Sequence, residues 1–186
     1  MSKLTISTIN LANLTGDATL SVDCAITGRT SEKITIADGV NVTLDEVTIN
    51  NQIVCQGDAT IYLKGTNKVT STTSDKAGIE VGPTETTLTI NGDADGSIEV
   101  KGGGYGAGIG SGQDYSIIGN ISINGGIITA TGGENGAGIG SGDENSSCGN
   151  ITITGGTVNA IGGGQGAGIG SGNNNSSCGD ITITGG

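Results

Sequence analysis

GAGIGSG stands at residues 106–112, again at 136–142 and again at 166–172. Glycine takes every second position and Ala, Ile and Ser alternate with it. Read outward from this heptapeptide, 102–131 (GGGYGAGIGSGQDYSIIGNISINGGIITAT), 132–161 (GGENGAGIGSGDENSSCGNITITGGTVNAI) and 162–186 (GGGQGAGIGSGNNNSSCGDITITGG) superimpose without a gap, giving a period of thirty residues. A degraded copy precedes them. Ala77-Gly78-Ile79 matches Ala107-Gly108-Ile109, and Ile98-Glu99-Val100 matches Ile128-Thr129-Ala130.

Self-similarity at this length marks a stacked architecture in which each unit buries its apolar side chains against its neighbours. Helical repeats are excluded, because no segment spaces apolar residues at i, i+3, i+4 and i+7. NITITGG, TVNAIGG and GAGIGSG all alternate with period two and are punctuated by Gly-Gly or Asn-Gly. Three short strands per coil, each lying on its equivalent in the next, make an all-β parallel β-helix of about thirty residues per coil. Strands ~4.8 Å apart give a rod about 30 Å long for roughly six coils. The inward positions are Ala107/Ile109, Ala137/Ile139 and Ala167/Ile169 on strand one, Ile121/Ile123, Ile151/Ile153 and Ile181/Ile183 on strand two, and Ile128/Ala130 and Val158/Ala160 on strand three. Burying each Ile contributes on the order of 1.5 to 3 kcal/mol, against the entropy of ordering so many glycines.

If Ala107 and Ile109 point inward, Gly106, Gly108 and Gly110 point outward, with Gly136, Gly138, Gly140, Gly166, Gly168 and Gly170 continuing the same bare wall. Glycine in a strand is disfavoured unless a ligand or another backbone approaches closely, so this wall is a candidate binding face. The same glycines equally suit bulges or corners with positive φ, or packing beneath the chain's own loops.

The earlier chain has strand-turn-strand texture at shorter spacing, as in KITIADGVNVTLDEVTINN and QIVCQGDATIYLKGTNKVTST. One domain over 1–186 is expected, with 1–32 as an N-terminal cap, 33–101 as irregular coils and 102–186 as regular glycine-rich coils. A cap is needed because an open β-helix end is an unpaired edge.

Composition agrees with a solenoid rather than a globule: 38 glycines, no Phe and no Trp in 186 residues leave little bulk for a compact core. All seven basic residues lie before position 102, and the net charge is −11. Nothing could neutralise phosphates, which argues against nucleic acid and anionic membranes. No apolar run is long enough to span a bilayer. The N-terminus shows no secretion signal, and ITITGG at the C-terminus stops short of the segment that follows it one repeat earlier, so a piece excised from a longer protein is expected.

After strand one the repeats diverge at a single loop: Gln113-Asp114-Tyr115, Asp143-Glu144-Asn145 and Asn173-Asn174-Asn175. Variation confined to one loop of a solenoid suits recognition, and carboxylates and amides suit sugar hydroxyls or a hard cation such as calcium. A solvated loop would read the same way. The calcium-binding nonapeptide roll does not fit, because its aspartate is absent and the period is wrong. GxGxG here alternates along a strand and does not open a helix, so dinucleotide binding fails too.

Cys148 and Cys178 are thirty residues apart and Cys24 and Cys55 thirty-one. Stacked pairs fall within disulfide range. Ile118 at the equivalent position one coil earlier favours a buried ladder of small hydrophobes. With no histidine and no CxxC, zinc does not fit. Catalysis is not expected: the one cluster of acids near cations combines Glu80, Glu85, Asp93 and Asp95 with Lys76 and Lys101, and the glycine-rich coils have no base. Thr152/Thr154 and Thr182/Thr184 suggest an ice-binding array, but Ser122/Asn124 and Thr89/Asn91 break it, and outward threonines also follow from strand propensity.

GAGIGSG, CGNITITGGTVNA and TIYLKGTN together resemble the glycine-rich right-handed β-helix modules of bacterial cell-surface proteins, adhesin-like or labelled carbohydrate-binding domain-containing. The likeness covers residues 33–186. It implies a right-handed coil, export to the cell surface, and a non-catalytic module that binds carbohydrate or another surface ligand. Phage tail adhesins use similar glycine-rich ladders. The competing expectation is a spacer or assembly rod that self-associates through the bare wall or through its open C-terminal coil.

Overall fold

The computed structural model describes residues 7–114 and 116–186. Among the described residues every strand pairing is parallel, and the only helical element is a 3₁₀ turn at Leu11–Asn13. The chain winds as a right-handed parallel β-helix with three main strand rows per coil.

Strand one gives a seven-stranded sheet: Ala18–Leu20, Ile34–Ile36, Ile53–Cys55, Ile79–Glu80, Ile109–Gly110, Ile139–Gly140 and Ile169–Gly170. Strands two and three share a twelve-stranded sheet. In the later coils strand two is Thr87–Gly92, Asn120–Ile123, Ile151–Ile153 and Ile181–Ile183, and strand three is Ser97–Lys101, Ile127–Thr131 and Thr157–Ile161.

The two rows join because the early coils are small. Val42 pairs with Ile61, nineteen residues later, whereas Ile109 pairs with Ile139, thirty later. In a nineteen-residue coil strands two and three fuse into one element, Val40–Ile49, which pairs first with Ala59–Lys64 and then with Thr66–Thr70. Its bend is at Glu46, held at φ 57°. Gly65, Gly126 and Gly156 take left-handed conformations at the same corner of later coils, which favours glycine there.

Where the coil widens, Asn67 replaces an aliphatic residue in the inward row, pairing with Ile98. It is buried, accepts the Val47 N–H at 3.0 Å and donates to the carbonyls of Lys64 and Ser97, both at 3.0 Å. A buried amide with its groups satisfied stitches the small coils to the large ones.

The aliphatic rows stand as the repeat predicts. Ile79, Ile109 and Ile139 are fully buried and pair in register, with Ile169 continuing the row half-buried in the last coil. Ile121, Ile123, Ile151, Ile153, Ile128 and Ala130 are buried as well, while Ile181 and Ile183 are exposed on the last coil. Residues 7–30 already form a coil: Ser7–Asn10 pairs with Cys24–Thr30, and Leu11 is buried in the core.

Three strands per coil is an undercount at the C-terminal end. Ser147–Cys148 and Ser177–Cys178 form a further short pair between strands one and two.

Candidate functional site

The glycine wall is not bare. Gly106, Gly108, Gly110, Gly136, Gly138 and Gly140 are buried, and in the last coil Gly166 and Gly168 are half-buried and Gly170 buried. Strand one is only Ile-Gly, because GAGIGSG closes on itself: the Ala107 N–H donates to the Ser111 carbonyl at 3.0 Å, and Ala137 and Ala167 repeat this with Ser141 and Ser171. Main chain lies on both sides of the glycines. A β-carbon on Gly108 would sit 2.6 Å from the Gly138 carbonyl oxygen of the next coil and 2.9 Å from the Thr131 nitrogen at the end of strand three. Gly110, at φ 145°, would place one on the Gly140 carbonyl. The residues are glycine because coils and strand ends meet there backbone to backbone.

Ser111 and Ser141 are buried in the same segment, and their hydroxyls accept the Gly142 and Gly172 N–H at 2.9 and 3.1 Å. Sequence reading passed over them, although their fixed place in each heptapeptide was visible.

The diverging loop stacks as a column. Tyr115 lies outside the described residues. Asp114, Glu144, Asn145, Asn174 and Asn175 all have φ between 49° and 64°, a left-handed region that Asn and Asp enter at least cost. Backbone shape thus accounts for much of the loop's composition. Gln113 and Asn173 are half-buried, and their N–H groups donate to the carbonyls of Asp75 and Asn135.

Asp143 is only 1% exposed; its carboxylate accepts from Asn135 at 2.9 Å and Asn174 at 3.0 Å, tying together the two turns that flank strand one. Glu144 lies over Asp114. The hydrogen bond between their carboxyls pushes Glu144 above the ordinary carboxylate range, with desolvation and the charges of Asp114 and Asp143 acting the same way. No cluster of three or more His, Cys, Asp or Glu side chains suited to a metal occurs among the described residues.

Cys148 and Cys178 are disulfide-bonded, with Cα atoms 4.6 Å apart, so this pair staples two coils rather than simply filling the ladder above Ile118. Cys24 and Cys55 are free and buried. They do not stack, because Cys24 pairs with Val42 in one sheet and Cys55 with Ile36 in the other. Burial, with the nearby Glu80 charge, pushes the Cys55 thiol up to about 12.

The acids near Lys76 and Lys101 are split between corners. Glu80 belongs to strand one, half-buried and raised by desolvation, whereas Asp93 and Asp95 lie in the turn between strands two and three.

Strand two opens on a ladder that sequence reading missed. The side-chain oxygens of Asp23, Asp38, Asp58, Asn120 and Asn150 accept the N–H of Asn41, Asp58, Thr87, Asn150 and Asp180, at 2.7 to 2.9 Å. The signal was the Gly-Asp or Gly-Asn pair before ATI, ISI or ITI at 57–58, 119–120, 149–150 and 179–180; Asp23 and Asp38 lack the glycine. Outward from it Thr60, Thr89, Ser122, Thr152 and Thr182 share one register, but Tyr62, Asn91 and Asn124 interrupt the column beside it.

A groove of about 560 Å³ runs where strand three turns back into strand one. Its floor is main chain at Gly102, Gly103, Gly132, Gly133, Gly162 and Gly163. Thr70, Lys101 and Thr131, paired in register at the end of strand three, line it together with Ser74, Gly104 and Glu134. Tyr105, 39% exposed, follows Gly104 in the chain.

Two stretches, 121–143 and 151–173, match the family described as beta helix repeat. They are thirty residues apart, and each runs from strand two across the glycine floor to the diverging loop. A search of curated proteins and of solved structures found no match. No helix among the described residues is long and apolar enough to cross a membrane.

Proposed function

We propose that this chain is a non-catalytic, extracellular binding module that recognises carbohydrate at a cell surface. The observation that supports this reading is the groove past Gly102, Gly132 and Gly162, which offers hydroxyls, one ammonium and one carboxylate across successive coils. The candidate binding face of Gly106, Gly108 and Gly110 is buried, and this neighbouring surface takes its place. An array of neutral, acidic and amino glycans probed with the protein and with Thr131→Trp tests the reading. Signals that the variant abolishes support it, and silence across the array overturns it.

The second reading is a spacer or assembly rod. It is favoured by how much of the repeat serves stacking alone: the buried glycines, the serine and Asn/Asp ladders, and the Cys148–Cys178 staple. A rod of this kind would self-associate. Light scattering over a concentration series reads this directly.

A further inference from the structure

We infer that Asn124-Gly125 is a self-modification site, at which the folded chain converts its own asparagine to aspartate and isoaspartate through a succinimide, with water as the only co-reactant. Asn-Gly occurs three times, at 91–92, 124–125 and 135–136. Glycine after asparagine leaves the attacking main-chain nitrogen unshielded by a side chain, so the three dipeptides share one intrinsic reactivity.

The fold separates them. Asn91-Gly92 ends strand Thr87–Gly92, where Gly92 pairs with Leu63 and the ladder holds that peptide extended. The Gly136 N–H donates to the Gly133 carbonyl at 3.2 Å, and the Asn135 amide is anchored on the buried Asp143 carboxylate at 2.9 Å. Asn124 instead lies just past strand Asn120–Ile123 and is exposed, and the Gly125 N–H makes no backbone hydrogen bond among the described residues.

The side-chain carbonyl of Asn124 carries the argument furthest. Its Oδ1 accepts the Ser122 hydroxyl at 3.1 Å and the Thr154 hydroxyl of the next coil at 2.8 Å. Attack of the Gly125 nitrogen on Cγ drives negative charge onto that oxygen. Two donors already aimed at an oxygen where charge develops lower the barrier, because their hydrogen bonds strengthen in the transition state.

Chain and water together balance the step. A solvent base takes the Gly125 N–H proton as the N–Cγ bond forms; the Cγ–Nδ2 bond breaks, and the nitrogen takes a proton from water and leaves as ammonia. Water then opens the five-membered ring at either carbonyl, giving aspartate or isoaspartate. Either product adds a negative charge to a chain that carries −11. Isoaspartate also lengthens the main chain by one carbon at a corner where a β-carbon on Gly125 would lie 2.7 Å from the Gly92 carbonyl oxygen, so it loosens the stacking there.

The test is peptide mapping by mass spectrometry of the full chain aged at mildly alkaline pH, folded and in urea, with isoaspartate read by enzymatic methylation. In urea the three sites react alike. In the folded chain Asn124 reacts roughly tenfold faster than Asn91 and Asn135, the combined effect of two donors. Ser122→Ala and Thr154→Val each slow it by about two- to tenfold, one net hydrogen bond, and leave the rate in urea unchanged. A loosened variant would react faster, so loss of structure does not imitate this result. Equal rates at the three folded sites, or an unchanged Asn124 rate in either variant, overturns the inference.

Discussion

Gly110 lies under Gly140 so closely that a β-carbon on the first would fall on the carbonyl oxygen of the second. Its φ of 145° adds a conformational penalty for any other residue. Gly110→Ala is therefore expected to lower stability by about 1–3 kcal/mol or more. Gly164 has only the Glu134 carbonyl oxygen, at 3.8 Å, and Gly164→Ala should be neutral or stabilise by up to about 1 kcal/mol. Thermal melts of the two variants, opposite in effect within the glycine-rich coils, check the contrast.

The Cys148–Cys178 bridge closes a thirty-residue loop between neighbouring coils. Removing such a link costs ~3–4 kcal/mol in the chain-entropy description. A solenoid distributes that loss locally, because each coil contacts only its neighbours. Reduction should raise amide exchange at Ile151–Ile153 and Ile181–Ile183 while leaving Ile61 and Ile90 protected. Uniform loosening would contradict nearest-neighbour stacking.

Asp143 holds Asn135 and Asn174 through one buried carboxylate. Asp143→Ala leaves both amides without their acceptor and should cost about 1–3 kcal/mol in denaturant melts. Asp143→Asn keeps an acceptor oxygen and should cost less.

Glu144 carries a raised pKa because Asp114 shares a hydrogen bond with it. A carboxyl whose folded-state pKa exceeds its unfolded value stabilises the fold at low pH, and that contribution is lost as pH rises through the folded pKa. Carboxyl NMR should place the Glu144 midpoint above the usual glutamate range, and Asp114→Asn should bring it down. A midpoint that ignores the substitution would mean the two side chains do not meet.

The aliphatic rows were legible in the sequence because isoleucine at a fixed thirty-residue interval has one economical place, directly over its equivalent. The strand-two and strand-three rows followed from alternation alone. The fate of the glycines was not legible. Alternation assigns Gly106 and Gly108 to the opposite face from Ala107 and Ile109, but cannot say that the end of strand three, at Thr131, folds back over that face. The small early coils were hidden by their lack of exact repetition, which also made Cys24 and Cys55 look stacked. The groove escaped notice because its floor, GGG or GGE, reads as a turn and becomes a channel only when three such turns align beside Thr72 and Ser74.

Cross-strand cysteine pairing is the most direct measurement of the claim that residues thirty apart lie over one another. Thr129 and Asn159 are outward partners in strand three. Thr129→Cys with Asn159→Cys should form a disulfide rapidly under mild oxidation, since adjacent parallel strands bring Cα atoms to about 5 Å. Thr129→Cys with Ile161→Cys, two residues out of register, should not, because that offset separates the Cα atoms by about 8 Å. Efficient bridging of the first pair alone is the predicted result. Equal bridging of both, or bridging of the second only, would contradict the stacked coil and the groove built upon it.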